Sequence, residues 1–355
     1  MSKASILILY SLPHPFYPDG SPDRIGRRAV RSRFQAIQKA LSSLGYYIAS
    51  LEAEKKLPTL LEEILTAKAD LVFNLCEEFF GQTRLEMNIA ALLELLDLPF
   101  TGSPAFVLGL SQDKGKTKTI LAHHHIPTPP YRVWQPGKDD LLTGLHFPLI
   151  VKPLCEDASL GIDNDAFVPN EGALRKQIQK IYQEYGQSVL VEEFIEGREL
   201  NVSILGNEDP QLFPISEIDF SSLPPGLPKI CSYSAKWKED SQEFCHTVPR
   251  CPAVLSPAME KEVLRVSLQT YRVMECRDYA RVDIRLSHDG IPYVLEINAN
   301  PDISPDAGII RSAKSAGLTY ADFVGRIVEL ALARSKSLQG HHKSKAVSAA
   351  GEPSA

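Results

Sequence analysis

The sequence predicts an α/β protein, an open α/β domain followed by two α+β subdomains, and three observations carry that prediction. The 355 residues exceed what one core organises, since domains run to about 100–200 residues each. Short apolar runs of strand length alternate with segments of helical spacing. Glycine and proline clusters punctuate the chain near residues 101–104, 126–130 and 220–257.

Ile6-Leu7-Ile8-Leu9-Tyr10 is a buried strand by this reading, and residues 27–44, closed by Gly45, a helix. Leu71-Val72-Phe73-Asn74-Leu75 is a second strand, and residues 85–96 a helix ended by Leu98-Pro99. These elements form a first domain over residues 1–101. A second unit, 102–188, holds a lysine-rich helix (Lys114, Lys116, Lys118), the connector Ile126-Pro127-Thr128-Pro129-Pro130, a strand at 147–153 and a helix at 172–185. The third, 189–334, has strands at 189–194, 199–205 and 211–218, a proline-rich segment at 220–257 expected to be mostly loop and to cover a site, and a helix at 257–274. Two strands around Ser287-His288-Asp289-Gly290 and a helix ending near Arg334 complete it. Residues 335–355 offer only Leu338 and Val347 as larger apolar residues, so a disordered tail is expected.

Composition narrows function. With 44% hydrophobic and 23% charged residues the chain is globular, and 38 basic against 44 acidic residues give a net charge of −6, which excludes the basic excess of a duplex-binding surface. No stretch reaches the ~20 apolar residues of a membrane helix. Six cysteines without a C-x-x-C pair, and an opening without a signal-peptide core, predict the cytoplasm. Cys245 and Cys251 have no partnered histidine and are not read as catalytic, and His123-His124-His125 cannot present three rings on one helix face.

The strongest chemical signal is Arg281-Val282-Asp283-Ile284-Arg285-Leu286 with Ile291-Pro292-Tyr293-Val294-Leu295-Glu296-Ile297-Asn298, two strands joined by a tight turn. Pairing Leu286 with Ile291 puts Arg281, Asp283, Glu296 and Asn298 on one face and Val282, Ile284, Leu286, Tyr293, Leu295 and Ile297 on the other. Two carboxylates and an amide oxygen suit Mg²⁺, which takes further oxygens from water and phosphate. A solvated polar face with Arg281 paired across to Glu296 fits the same pattern equally well. Lys152 ends a strand before a turn reaching Gly161, a place for phosphate oxygens or an ordinary surface lysine. The strand around Glu192 and Glu193 could meet an adenine amino group and ribose hydroxyls, or be a solvated edge.

In order, these pieces resemble the ATP-grasp fold and, within it, the D-alanine–D-alanine ligase-like carboxylate–amine ligases, over residues 71–334. The motifs are Leu98-Pro-Phe-Thr-Gly-Ser103, Gln112-Asp-Lys114 with Thr117-Lys118, Ile126-Pro-Thr-Pro-Pro130, Leu149-Ile-Val-Lys-Pro153, Val191-Glu-Glu-Phe-Ile195 with Glu199, Tyr233-Ser-Ala-Lys236, Arg281-Val-Asp283 and Leu295-Glu-Ile-Asn298. The resemblance implies a pre-ATP-grasp N-terminal domain and ATP held between two subdomains. Lys114 and Lys152 would meet its phosphates, with Lys236 on the cover near the γ-phosphate, Glu192, Glu193 and Ile195 along the adenine side and Glu199 at the ribose. Asp283, Glu296 and Asn298 would hold Mg²⁺, and Arg281 would steady the developing oxyanion.

The implied reaction activates a carboxylate as an acyl phosphate, which an amine then attacks. The alternatives are an authentic D-alanine–D-alanine ligase of cell-wall synthesis with an unusual pocket and, from another class, a non-catalytic nucleotide-binding regulator. The implied partners are amino acid or peptide substrates, not nucleic acid or membrane, with a homodimer left open. At the substrate end the chain departs from the family's pattern. Ala158 and Ala307 stand where the family has serines and Asp302 where it has glycine, and no N-terminal glutamate is identifiable near Ser21-Pro-Asp-Arg24. An acceptor other than D-alanine is therefore expected, either lacking a carboxylate there or carrying an extra cation.

Overall fold

In the computed structural model the described residues are 3–12, 23–137, 144–157 and 159–349, with side chains left out at 23–29 and 337–349. Ala158 and most of the loop before Asp23 therefore lie outside them. The first unit runs β1 (Ser5–Tyr10), α1 (Asp23–Ser43), β2 (Tyr47–Glu52), α2 (Leu57–Ala67), β3 (Leu71–Leu75) and α3 (Glu86–Leu95). Its strands are parallel in the order β2-β1-β3. Both faces of β1 are covered, which is why it reads as a continuous apolar run. Ile6 and Ile8 pack with Ile37 and Leu41 of α1, while Leu7 and Leu9 face Leu60 and Ile64 of α2. The strand β2 was not anticipated, because half of its residues are exposed and its pattern is weak.

Two helices, α4 (Ala105–Gln112) and α5 (Lys114–His123), lead into β4 (Tyr131–Trp134), β5 (Leu149–Pro153), β6 (Phe167–Val168), α6 (Glu171–Tyr185) and β7 (Val189–Glu193). The strands form a four-stranded sheet ordered β4-β7-β5-β6. Leu149, Val151, Val189 and Val191 pack on Leu174, Ile178 and Ile181 of α6. By the two-residue period of a strand, Ile150, Lys152, Leu190 and Glu192 share the opposite face. Since β7 pairs with β4 and β5, the middle unit extends through Glu193 instead of ending at 188. Asn170 caps α6 by accepting from Ala173 N–H, and Gly186 closes it in the left-handed region.

The third unit contains β8 (Gly197–Leu205), β9 (Gln211–Leu212), β10 (Ser216–Asp219), α7 (Tyr233–Trp237), α8 (Gln242–His246), β11 (Val248–Arg250), α9 (Pro257–Val273), β12 (Tyr279–Ser287) and β13 (Pro292–Asn298). Its sheet is ordered β11-β10-β8-β12-β13, with β9 on β8. The single strand expected at 211–218 is thus two. Val263 and Val266 of α9 pack among Leu200, Val202, Ile204, Val282 and Ile284, so Glu199, Asn201, Arg281, Asp283 and Arg285 share the other face. The 220–257 segment is less irregular than its proline content suggests. It carries α7, α8 and β11, and Ser232 and Ser241 cap the two short helices by accepting from Ala235 and Phe244 N–H.

The expected register of the last two strands is corrected. Leu286 pairs with Pro292, not Ile291, and a bulge between Asp283 and Ile284 sets Arg281 opposite Asn298 and Asp283 opposite Glu296. The four polar residues keep a common face. On the apolar side Val294, fully buried, replaces Tyr293 and Leu295, because the extra residue in β13 reverses the alternation there.

The chain ends in α10 (Gly308–Ser315) and α11 (Tyr320–Ala349). Phe323, Val324, Ile327 and Val328 of α11 complete the core around Ile6, Ile8 and Phe73. The helix runs past Arg334, against the expectation of a disordered tail from 335. Once nucleated by packing, it propagates at little cost through Ser, Lys and Ala. Buried Asp278 ties the junction, accepting from Gly102 N–H at 2.8 Å and pairing with Arg334, which also donates to Phe100 O at 2.7 Å. Among the described residues no helix is long and apolar enough to cross a membrane.

Candidate active site

The cleft faces of the middle and last sheets carry the charged residues. Lys114 is the first residue of α5, whose cap Asp113 accepts from Lys116 N–H. A buried cation at a helix N-terminus opposes the helix dipole, so acceptors must offset it. Lys114 Nζ meets Glu156 O at 2.7 Å, Asp157 Oδ1 at 3.2 Å and Glu296 Oε2 at 3.4 Å. The contact with Glu296 joins the start of α5 to β13 of the last sheet.

One turn on, Lys118 is fully buried, and with Lys152 it brackets Glu192. The Nζ of Lys118 lies 2.8 Å from Oε2, and that of Lys152 lies 2.7 Å from Oε1. Burial works to raise the Glu192 pKa, but the two ammonium groups outweigh it and hold the carboxyl below its ordinary value. Lys118 is pushed down to about 8, first by burial and further by Lys152, with Glu192 opposing. It also donates to Thr128 Oγ1 at 2.7 Å, and Thr128 donates in turn to Val294 O on β13.

On the facing sheet Asp283 is the hub. Its Oδ1 accepts from Asn201 Nδ2 and Arg281 Nε, both at 2.7 Å, and its Oδ2 from Arg281 Nη2 at 2.7 Å and Asn298 Nδ2 at 3.1 Å. Arg281 therefore forks onto Asp283, not across to Glu296. Asn298, turned to give its amide N–H to Asp283, keeps its carbonyl oxygen for another partner. Glu296 feels Lys114, Lys152, Arg281 and Lys236, which overcome the upward effect of burial and keep it well below the usual carboxylate range.

The remaining expected residues fall around this centre. Lys236, on α7, stacks over the Trp237 ring at 5.5 Å. Glu199 pairs with Arg285 at 3.2 Å, and burial, its largest influence, raises its pKa. Arg285 also binds Ile195 O and Lys229 O and lies 4.9 Å from the Phe194 ring, fastening the β7–β8 connection to the cover. Glu193 turns away from the cleft and accepts from His146 N and Nδ1 at 2.8 Å. Asp302 is held by Arg33 and Ser304. Ala307 holds the N-cap position of α10 and offers no side-chain bond.

Sequence reasoning passed over Arg33, Glu77, Glu86, Asn201 and Arg285. Arg33 and Glu86 sit at buried positions of helices where an apolar residue belongs, a signal that would have found them.

The family profile described as D-ala D-ala ligase C-terminus matches residues 122–329. The chain belongs to the D-alanine–D-alanine ligase family. It is 32% identical over 320 residues to a D-alanine–D-alanine ligase of Methylacidiphilum infernorum, spanning 90% of this chain and 95% of that one. It is equally 32% identical over 327 residues to an uncharacterised protein of Sinorhizobium fredii, covering 91% and 92%. The solved D-alanine–D-alanine ligase of Bacillus anthracis, complexed with ATP, superposes with a TM-score of 0.73 at 24% identity, over 94% of this chain and 99% of that one. That of Coxiella burnetii gives 0.73 at 18% identity, over 99% and 100%. These likenesses establish the ATP-grasp fold. As a member of the D-alanine–D-alanine ligase family, the protein is an ATP-dependent ligase that forms C–N bonds.

The side chains fit the groups this family employs. Lys114, Lys152 and Lys236 supply cationic charge around Glu296, as a polyphosphate requires. Asp283, Glu296 and the free carbonyl of Asn298 are hard oxygen donors suited to Mg²⁺. To expose Asp283, Arg281 has to leave it.

Proposed function

We propose that the protein joins the carboxylate of an amino acid or peptide to an amine in the cytoplasm, releasing ADP and phosphate, with substrates other than a pair of D-alanines. The observation that carries this reading is the apposition of Lys114, at the start of α5, and Lys152, on the middle sheet, to Asp283, Glu296 and Asn298 on the last sheet, bridged at 3.4 Å between Lys114 and Glu296.

In this reading Lys114 and Lys152 bind the phosphates, Lys236 closes over them, and Glu192, Glu193, Ile195 and Glu199 line the nucleoside side. The geometry supports Glu192 and Glu199 most directly. Glu193 contributes through its backbone and through the His146 contact. Asp283, Glu296 and Asn298 hold Mg²⁺, which when bound neutralises phosphate charge. Arg281, displaced from Asp283, is then free to donate to the oxygen that gains charge as the amine attacks the acyl phosphate. Loss of such a donor costs about 10²–10³ in rate. The cover, docked through Tyr233 N–H on Ile162 O at 2.8 Å and Ser159 Oγ on Cys231 O at 2.9 Å, excludes water that would hydrolyse the acyl phosphate.

The test is a screen of amino acids and dipeptides for substrate-dependent ADP release, with hydroxylamine trapping of the acyl phosphate. Asp283→Asn and Glu296→Gln should each lower turnover by about 100-fold or more while the fold persists. Near-normal turnover across Mg²⁺ concentrations refutes the metal assignment. The second reading is an authentic D-alanine–D-alanine ligase, favoured by the curated relatives. It holds if two D-alanines prove the best pair.

A further inference from the structure

At the far end of the cleft, α1 carries Arg33 on its buried side, 4% exposed. One nitrogen of its guanidinium, Nη1, serves two carboxylates, Glu77 after β3 and Asp302 after β13. Asp302 is fixed through a single oxygen. Arg33 Nη1 at 3.1 Å, Ser304 N–H at 2.9 Å and Ser304 Oγ at 2.6 Å all donate to its Oδ1. None of these bonds uses Oδ2, and the side chain is 43% exposed, as that of Glu77 is 40% exposed. Two acids are thus locked against one cation, each presenting its second oxygen, and the trio keeps a net negative charge. A third polar feature belongs to the same guanidinium. Nε of Arg33 is buried with no partner among the described residues, a donor that an incoming carbonyl oxygen would satisfy.

The position is set by the chain. Asp302 follows Asn298 by four residues, and Lys236 acts electrostatically on both Asp302 and Glu296. The acid pair therefore lies beside the place where phosphates and attacking amine meet. Arg33, Glu77 and Asp302 converge from three separate segments of this chain.

We infer that Asp302 and Glu77 form the pocket for the amine substrate, and that this substrate carries a second cationic group and an amide or other neutral carbonyl in place of a free carboxylate. The inference rests on the ligase reading above. An ammonium group donates charge-assisted bonds to the two open oxygens, whereas a carboxylate placed there meets like charge.

The test uses the full chain with Mg²⁺ and a non-hydrolysable ATP analogue, titrated calorimetrically with lysinamide, lysine, alaninamide and D-alanine. Lysinamide should bind about tenfold or more tighter than either alaninamide or lysine, with D-alanine weakest. Asp302→Asn, which keeps the Oδ1 acceptor, and Glu77→Gln, on an exposed side chain, should each remove most of that advantage. Equal binding of lysinamide and alaninamide, or an advantage that survives both substitutions, overturns the proposal. The two readings fail differently. If the analogue binds but the amines are not discriminated, only this inference falls; if the analogue does not bind, the ligase reading falls and takes the inference with it.

Discussion

Glu192 shows how single side chains set this site. It is buried at 2% exposure between Lys118 and Lys152, so removing its charge strands two ammonium groups in a dry cleft. Breaking a buried pair costs about 3–5 kcal/mol, and Glu192→Gln should fall in that range by urea unfolding and raise the KM for ATP as Lys152 loses its anchor. Glu86 gives a pH signature. Its carboxyl accepts from Gln112 Nε2 at 2.7 Å and Asn300 Nδ2 at 2.8 Å, and burial, reinforced by Glu77 and Asp157 against those bonds, pushes its pKa up to about 8. A carboxyl whose pKa rises on folding stabilises fully below its unfolded value of 4.5 and loses that contribution as pH climbs toward 8. The melting temperature should therefore fall between pH 5 and 8 in the wild type and fall less in Glu86→Gln; parallel curves would show Glu86 to be ionised throughout. At this scale the sequence revealed the metal-binding candidates through their alternation, and the lysines through motifs. Lys118's pairing with Glu192 and Arg33's double role were hidden, since partners that meet only in the fold leave no periodic trace.

Elements were legible in proportion to their length and covering. The strand β3 and the helix α9 match expectation within one residue because a covered strand and a capped amphipathic helix each repeat their signal. The two-residue strands β6 and β9 and the five-residue helices α7 and α8 are shorter than any period that could announce them. The bulge in β12/β13 was equally invisible, a one-residue change of register with no marker glycine or proline at Asp283 or Ile284. The segment containing α7 and α8 is attached to the middle unit by few bonds, among them Asn164 Nδ2 to Glu243 Oε1 at 2.7 Å. Limited proteolysis should cut within 220–257 in the free protein and be slowed by an ATP analogue with Mg²⁺, more weakly so in Asn164→Ala. Equal cutting with and without nucleotide would show that the cover does not close on it.

For the whole molecule, the order of three α/β layers was readable from the alternation of elements, while the boundaries were displaced because sheets, not composition, define them. Glu193 ends the middle sheet, and α4 and α5 share a core with the first and last units. Ending the chain after Lys336 should leave melting temperature and ADP formation within error, since only Leu338 and Val347 beyond it are sizeable apolar residues; a clear drop in melting temperature would mean that this segment docks. The return of α11 to β1 has a consequence for synthesis. The core around Ile6 and Ile8 stays open until Phe323, Val324 and Ile327 arrive, more than three hundred residues later, whereas the middle core draws on residues 134–191. A ribosome making this chain from its N-terminus releases the middle unit's sequence complete, yet must finish almost the whole message before the first unit can seal. Arrested nascent chains ending before residue 318 should thus protect the middle sheet from protease while leaving the first strand open to cleavage, an order of folding that runs from the centre of the chain outward to both ends.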